Sequence, residues 1–440
     1  MTSDNAFARR VRGLALTVVT SLFIASAHAQ FRMPEGLSPE QRTRFEPFES
    51  FRINGVCGVR DLDRLQSFGV NAVRGYTIPS AEEMLEQLDD VHSRGMKLVV
   101  SEWMPHHGEN KANNGSTYTF DYEARGDRMV ERFIEKVEGI GDHPAILMWG
   151  LGNEVHLDPE YLRVANRMSE AIHERFPHHV TSLTMVNAKP EHIELVKTHA
   201  PDIDVIGMQS YSVGAVRGHI RNLEQHWGKP FYVSEFNGKG PWNFGKTEWG
   251  EAYDETVDRK VADLRQCYEI IDESPLCLGS TVFVWGYFNV NRATYFSLLL
   301  DEHPNGKGRN ASPEGLLMTP QAEVVAEHFT GRPFEGNRAP VLNAVAFADD
   351  KRDLTTTPGG PVTVDLGSTD ADGDETRYTI WVLDSKPNRP KAVSGPFEAS
   401  ADGTVTFKAP NKAGEYLVMA YVFDDNGGAS ASTLPLRVQR

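Results

Sequence analysis

The chain contains 440 residues, of which 40% are hydrophobic and 24% are charged, and its formal net charge is -16. This length exceeds one ordinary hydrophobic core, so we expect two domains, or one large barrel with an appendage. The acidic balance argues against nucleic acids and anionic polymers as partners and favours a neutral polymer.

The first 29 residues have the pattern of an export signal. Three arginines precede an apolar run over residues 14–25, and Ala27-His28-Ala29 offers a small-x-small cleavage site. We therefore expect a signal peptide over 1–29, a mature chain starting near Gln30 and a periplasmic or secreted location. An uncleaved anchor is the alternative, although the run falls short of the roughly 20 residues that a spanning helix needs. No other stretch is long enough, so no membrane partner is expected after cleavage.

After an N-terminal extension, residues 30–49, short apolar runs alternate with amphipathic stretches. This alternation is typical of repeated βα units around a parallel sheet. Eight units predict a (β/α)₈ TIM barrel over 50–332, with its chemistry at the carboxyl ends of the strands. The predicted strands are Phe51 to Gly58, Val70 to Gly75, Met96 to Glu102, Ala145 to Gly150, His179 to Met185, Asp204 to Gln209, Pro230 to Ser234 and Gly279 to Trp285.

Three predicted helices carry clear signals. Ser80 followed by Glu82 and Glu83 resembles a capping box, and Arg94-Gly95 ends the same helix. Residues 127–137 and 160–176 have the spacing of helices with one apolar face.

The character of the chain changes after a linker at 333–340, where the apolar periodicity stops. Residues 341–440 show strand-like alternation divided by Gly, Pro and Asp clusters, which predicts a small all-β immunoglobulin-like sandwich. Two of its turns, 370–374 and 424–428, offer alternating oxygen ligands of a type that calcium accepts. Turns of this composition are also common without an ion, so structural calcium remains one of two interpretations.

Three cysteines cannot all pair within one chain. Cys267 and Cys277 are the local candidates for a disulfide bond, which an exported protein permits. Three buried free thiols, with Cys57 as the third, are the alternative.

Two carboxylates lie at the ends of strand-like runs about 80 positions apart: Glu154 after Ile146 to Asn153, and Glu235 after Phe231 to Ser234. An acid/base and a nucleophile, held about 5 to 5.5 Å apart, break glycosidic bonds with retention. Glu154 fits the acid/base, because an apolar strand end and the charge of its partner both favour its protonated form. Glu235 fits the nucleophile. Taken alone, either residue is also compatible with a solvated or salt-bridged strand end.

These two segments, Trp149 to Glu154 and Lys229 to Phe236, together with Phe51-Arg52-Ile53-Asn54-Gly55 and Val70-Asn71-Ala72-Val73-Arg74, resemble the catalytic barrel of glycoside hydrolase family 2 and its clan of retaining glycosidases. The resemblance covers residues 50 to 330, with the acid/base after the fourth strand and the nucleophile after the seventh. One such motif is weak evidence, whereas several in register are strong. The resemblance implies that Asn153 presents its amide to the sugar 2-hydroxyl.

Further substrate-binding candidates surround the pair. Arg74 ends the second strand and is expected to hold Glu235 ionised, with a rim salt bridge as the alternative. Tyr211 is expected to donate a hydrogen bond to Glu235, or to be an ordinary buried aromatic residue.

Three candidates are assigned to direct substrate contact. Trp285 offers a flat face to the sugar ring or is an ordinary buried aromatic residue. Trp242 belongs to an aromatic loop that lines further subsites or forms a lid, and Glu102 contacts a substrate hydroxyl or supports the site. His106-His107 and His178-His179 lack the spacing of a zinc site, so we predict no metal and no cofactor for the reaction.

The sequence therefore predicts an exported retaining β-glycoside hydrolase acting on a carbohydrate substrate. A transglycosylase on the same barrel, similar to glucanosyltransferases, is one alternative, in which a second sugar replaces water. A non-catalytic carbohydrate-binding protein is another, and the presence of both Glu154 and Glu235 argues against it. No motif specifies the sugar, the linkage or the oligomeric state.

Overall fold

The computed structural model of the protein describes residues 30–112, 116–290, 292–305, 315–386, 390–400 and 403–440. The predicted signal peptide, residues 1–29, lies outside the described residues. Within these ranges, none of the helices combines the length and hydropathy of a membrane span.

Eight parallel strands form a closed barrel in which each strand pairs with the next and the eighth pairs with the first. The strands are β1 Ile53–Cys57, β2 Ala72–Arg74, β3 Lys97–Glu102, β4 Ile146–Leu151, β5 Thr181–Met185, β6 Val205–Ser210, β7 Phe231–Phe236 and β8 Cys277–Val282. The predicted TIM barrel is confirmed, and each predicted strand overlaps an observed one.

Helices connect the strands and cover the outside of the barrel. The α-helices are α1 Pro39–Phe45, α2 Leu62–Ser67, α3 Ala81–Ser93, α4 Tyr122–Ile140, α5 Pro159–Arg175, α6 Pro190–His199, α7 Val213–Asn222, α8 Val257–Glu273, α9 Ala293–Phe296 and α10 Pro320–Thr330. As predicted, Ser80 caps α3 by accepting the Glu83 N–H. Helix α4 begins before the predicted range because Asp121 caps it.

Short elements complete the barrel domain. Hairpins pair Gly108–Lys111 with Thr117–Phe120 and Leu299–Leu300 with Leu317–Met318. Single turns of 3₁₀-helix span Glu46–Glu49 and Pro241–Asn243, and a π-turn spans Leu223–Trp227.

The N-terminal extension closes the amino end of the barrel, a role that the sequence did not reveal. Phe31, Phe45 and Phe48 pack in one buried cluster with barrel side chains that include Met148 and Val205. Burying such aromatic side chains stabilises the fold by about 1.5–3 kcal/mol each. The extension is therefore an integral part of the barrel.

A buried charge network fixes this extension. Arg44 of α1 donates to Asp204 with an Nε to Oδ1 distance of 3.0 Å. His173 of α5 places Nε2 2.9 Å from Asp204 Oδ2 and Nδ1 2.8 Å from Asp202 Oδ2. Burial lowers the pKa of His173, but the hydrogen bonds with Asp202 and Asp204 outweigh it and raise the pKa to about 9.

The C-terminal domain is all-β, as predicted. Its strands are β9 Val341–Phe347, β10 Leu354–Thr356, β11 Pro361–Thr369, β12 Thr376–Asp384, β13 Ala392–Glu398, β14 Thr404–Lys408, β15 Gly414–Asp424 and β16 Ala429–Val438. One sheet has the order β9-β11-β14 and the other β10-β16-β15-β12-β13, and their inner faces share an apolar core. A 3₁₀ turn, Ala348–Asp350, follows β9.

Contacts with the barrel domain hold the linker. The Phe334 ring packs edge-on against Phe68 with centroids 5.8 Å apart. Arg338 forms ion pairs with Glu323 and Glu327 of α10, the latter at 2.7 Å. The sandwich is therefore anchored at its first residues.

Cys57, Cys267 and Cys277 are all buried free thiols, which is the second of the two predicted alternatives.

Replacing His173 is expected to destabilise the protein in a pH-dependent way. Because the pKa of His173 is raised to about 9, its favourable contribution to the free energy of unfolding is complete below the unfolded pKa and is lost as the pH rises through 9. We expect His173→Gln to lower that free energy by about 2 kcal/mol near pH ~6 and by much less above pH ~9.5. Urea unfolding at both pH values measures this, with His226→Gln at an exposed position as control. An equal loss at both pH values would contradict a charged His173.

Candidate active site

Glu154 lies in a sharp turn directly after β4. Its φ of 55° is in the left-handed region, which non-glycine residues rarely adopt and which is enriched at functional sites. Gly152 has a φ of 90°, and a Cβ there would lie 2.8 Å from the Tyr161 hydroxyl. That hydroxyl donates to the Leu151 carbonyl oxygen at 2.8 Å, so α5 fixes the end of β4.

Glu235 ends β7 with both carboxylate oxygens hydrogen-bonded. Oε1 accepts from Arg74 Nη1 at 2.7 Å and from the Tyr76 hydroxyl at 2.6 Å. Oε2 accepts from the Tyr211 hydroxyl at 2.5 Å. Glu235 is buried, and these three donors, one of them a guanidinium cation, satisfy both of its oxygens.

Arg74 connects the two catalytic candidates through Asn153. Its Nη2 donates to Asn153 Oδ1 at 2.7 Å, and Gln209 Nε2 donates to the same oxygen at 2.7 Å. With the amide oxygen of Asn153 held by two donors, its Nδ2 is directed away from them. The amide N–H groups are the part of Asn153 that can bind a ligand.

The environment of Glu154 favours the protonated acid. Burial raises the pKa of Glu154 to about 7, the charge of Glu235 acts in the same direction, and Arg74 opposes both. None of the described residues donates a hydrogen bond to its carboxyl group. The surroundings of the two carboxyl groups thus differ: three donors face Glu235, whereas burial and a neighbouring negative charge act on Glu154.

Glu154 lines a cavity of about 360 Å³ together with Gln209, Tyr211 and Trp242. This volume is in the range of small-molecule sites. The Trp242 side chain is 60% exposed, and its ring meets the Tyr211 ring edge-on at 5.6 Å between centroids. An exposed indole above an acid/base candidate is available for stacking on a sugar ring.

The structure brings Arg74, Asn153, Glu154, Tyr211 and Glu235 together, as the sequence predicts. It also adds two residues that the sequence analysis missed, Tyr76 and Gln209. Each had a weak signal: Tyr76 follows Arg74 by two positions, and Gln209 ends a predicted strand. Such positions become informative only when the barrel register is known.

Two predicted substrate contacts have close protein partners of their own. Trp285 is 3% exposed and packs edge-on against Phe68, with centroids 5.6 Å apart. It lines a separate cavity that also includes Arg74 and Tyr76. Glu102 lies at the end of β3, and its two carboxylate oxygens accept hydrogen bonds of 2.7 and 2.8 Å from Lys136 Nζ of α4. Sugar contacts for Trp285 and Glu102 stay predictions.

Among the described residues, two groups place three metal-ligand atoms within 4.8 Å of one another: Asp142 with His178 and His179, and the carboxylates of 370–374. The first lies before β5, at the barrel end opposite to Glu154. In the second, Asp370 Oδ1 accepts backbone N–H groups at 2.9 and 3.1 Å. Neither group lies beside the carboxylate pair, and calcium in the sandwich stays a prediction.

Two family models match parts of the chain. Residues 53–238 match the family model described as glycosyl hydrolases family 2, TIM barrel domain. Residues 337–436 match the bacterial Ig domain. No curated protein is significantly similar to the chain in sequence.

Several solved structures resemble the chain. A calcium-binding mutant of β-glucuronidase 2 from Bacteroides uniformis has 16% identity and a TM-score of 0.43 over 88% of this chain and 46% of its own. An FMN-binding β-glucuronidase from Faecalibacterium prausnitzii L2-6 has 13% identity and a TM-score of 0.45 over 89% of this chain and 56% of its own. A GH10 xylanase from Bispora sp. MEY-1 has 11% identity and a TM-score of 0.44 over 66% of this chain and 98% of its own.

The chain spans about half the length of the two glucuronidases. The two family matches agree with the resemblance that the strand-end motifs show. Residues 53–238 are thus similar to the TIM barrel domain of glycosyl hydrolases family 2, and residues 337–436 are similar to a bacterial Ig domain.

Proposed function

We propose that the protein is an exported retaining β-glycoside hydrolase that cleaves O-glycosidic bonds of a poly- or oligosaccharide through a covalent glycosyl-enzyme. The observation that carries this proposal is the contrast between the two carboxyl groups. Glu235 accepts bonds from Arg74, Tyr76 and Tyr211, whereas burial raises the pKa of Glu154 to about 7. One ionised and one protonated carboxyl group at the same end of the barrel are what double displacement needs.

In the first step, a Glu235 oxygen attacks the anomeric carbon while Glu154 gives its proton to the leaving oxygen. The glycosidic C–O bond breaks, and an ester bond between the sugar and Glu235 forms. Tyr76 and Tyr211 hold the two oxygens of Glu235 in place. Asn153, fixed by Arg74 and Gln209, presents its Nδ2 to the sugar 2-hydroxyl.

In the second step, the ester removes the negative charge of Glu235, which had raised the pKa of Glu154. The pKa of Glu154 therefore falls, and its carboxylate takes a proton from water as that water attacks the anomeric carbon. The ester C–O bond breaks and Glu235 leaves as the carboxylate. Two displacements restore the original anomeric configuration.

The remaining assignments belong to the same proposal. Trp242 stacks on a sugar beside Glu154, and the reaction proceeds with residues of the chain alone, without a metal or cofactor. Export follows from the signal-like residues 1–29, and N-terminal sequencing of the secreted protein would test it. The carbohydrate is the only partner that the proposed chemistry requires.

Product stereochemistry tests the function directly. Purified protein is incubated with β-glucans, mannans, galactans and aryl β-glycosides, and proton NMR follows the first anomer released. We expect the β-anomer to appear before mutarotation. An initial α-anomer would contradict retention, and transfer products longer than the substrate would favour the transglycosylase. Binding without any cleavage would favour a carbohydrate-binding protein.

Replacing Glu235 is expected to abolish the first displacement. We expect Glu235→Ala to lower kcat by several orders of magnitude, because the group that forms the glycosyl-enzyme is lost. Azide should rescue this variant on an activated aryl glycoside and give a glycosyl azide of inverted configuration. Near-normal hydrolysis by Glu235→Ala would exclude Glu235 from the mechanism.

Replacing Glu154 is expected to have an effect that depends on the leaving group. Dinitrophenyl glycosides need little protonation, so Glu154→Gln should slow their glycosylation far less than that of alkyl glycosides. Pre-steady-state bursts separate this step from slow deglycosylation. Equal losses on both substrate classes would contradict the acid role.

The pH dependence should report the same carboxyl group. Because burial raises the pKa of Glu154 to about 7, kcat/KM should fall as the pH rises through 7, when the acid loses its proton. In Glu235→Gln the pKa of Glu154 should drop, since the charge of Glu235 contributes to raising it. Carbon-13 NMR titration of labelled Glu154 measures both values. An unchanged pKa in Glu235→Gln would show that the two carboxyl groups are not coupled.

A further inference from the structure

A second cavity lies beside Trp242, between the loop after β7 and the sandwich. Its volume is about 390 Å³, and barrel and sandwich residues both line it. Trp242 belongs to the walls of this cavity and of the cavity that contains Glu154. The two cavities therefore adjoin at one exposed indole.

Buried polar contacts hold the two walls of the second cavity in a fixed relation. Asp254, after β7, accepts from the Thr433 N–H at 3.1 Å and from the Thr294 hydroxyl at 2.6 Å. Lys260 Nζ lies 2.8 Å from Asp254 Oδ1. Arg292, after β8, donates to Thr433 Oγ1 at 2.8 Å. Because these groups are buried and paired with one another across the two domains, breaking any one of the contacts is costly, so the cavity is built into the fold.

The lining of the cavity combines aromatic surface with hydrogen-bonding groups. Trp242 and Trp249 supply the aromatic surface, and Lys246, Lys386 and Glu415 supply charged groups. Trp249 Nε1 is enclosed and has no acceptor among the described residues. Aromatic faces beside several polar side chains suit a sugar, which has apolar C–H faces and many hydroxyl groups.

We propose that this cavity is a remote sugar-binding subsite, shared by the barrel and the sandwich, for units of the substrate chain beyond those bound at Glu154 and Glu235. The inference rests on the proposed function and extends it. The substrate chain passes Trp242 and continues along Trp249 toward Lys386 of the sandwich. The preferred substrate is therefore an oligo- or polysaccharide, and the sandwich contributes directly to its binding.

The kinetic test uses the full chain and compares substrates of increasing length. Gluco-, manno-, xylo- and galacto-oligosaccharides from disaccharide to hexasaccharide are compared with 4-nitrophenyl glycosides of the same sugars. We expect kcat/KM to rise with chain length in the parent protein. In Trp249→Ala it should fall about tenfold on the hexasaccharide, while the aryl monoglycoside is little affected.

Matched variants separate binding from folding. Lys386→Ala changes an exposed side chain of the cavity wall, and Lys408→Ala changes an exposed lysine of β14 away from it. Trp249→Phe retains an aromatic face and should recover most of the loss of Trp249→Ala. Of the two lysine variants, Lys386→Ala should weaken hexasaccharide cleavage, whereas Lys408→Ala should not.

Calorimetric binding of the same hexasaccharides to the Glu235→Gln protein separates the subsite from catalysis. If the parent protein cleaves no member of the panel, the proposed function fails, yet hexasaccharide binding that Trp249→Ala weakens would still support the subsite. The subsite is overturned by any of three results: no hexasaccharide binds, Trp249→Ala binds as tightly as its parent, or Trp249→Ala loses activity equally on all chain lengths.

Discussion

The ion pair between Arg74 and Glu235 determines the geometry of the active end of the barrel. Arg74 is 1% exposed and Glu235 is 5% exposed, and an uncompensated charge at such depth costs several kcal/mol. The 2.7 Å contact between them compensates both charges. Because Arg74 also binds Asn153, one guanidinium on β2 fixes the nucleophile candidate on β7 and the residue that precedes the acid candidate on β4.

This ion pair also creates the difference between the two carboxyl groups. Arg74 gives its hydrogen bonds to Glu235 and Asn153, so Glu154 experiences the cation only through space. Burial and the neighbouring negative charge then dominate and raise the pKa of Glu154. The pKa of Glu154 therefore depends on which strand carries the guanidinium, and the left-handed backbone at Glu154 keeps its carboxyl group at this position.

The barrel and much of the site could be predicted from sequence, because strand-end residues of a TIM barrel meet at one rim. Glu154, Glu235 and Arg74 were found on this basis. Tyr76 was missed because its role depends on the turn after β2 and not on any periodic pattern. The position of Trp285 depends on packing against Phe68, and tertiary packing of this kind leaves no local signal. For the same reason, the sequence predicts residues 30–49 only as an N-terminal extension and does not reveal that they close the amino end of the barrel.

The loop after β7 shows why a sandwich is joined to this barrel. Residues 237–256 contain only one helical turn, and irregular segments of this length in compact domains are usually functional or disordered. Asp254 near the end of the loop is buried and bound to Lys260 and Thr433. Burial alone would raise the pKa of Asp254, but Lys260 and Arg292 lower it, so a charged carboxylate holds the loop. Trp242 in the same loop remains exposed. Because the Trp242 ring is exposed, its burial does not stabilise the loop. The loop is held instead by its buried carboxylate, and Thr433 on strand β16 of the sandwich supplies one of the hydrogen bonds to that carboxylate.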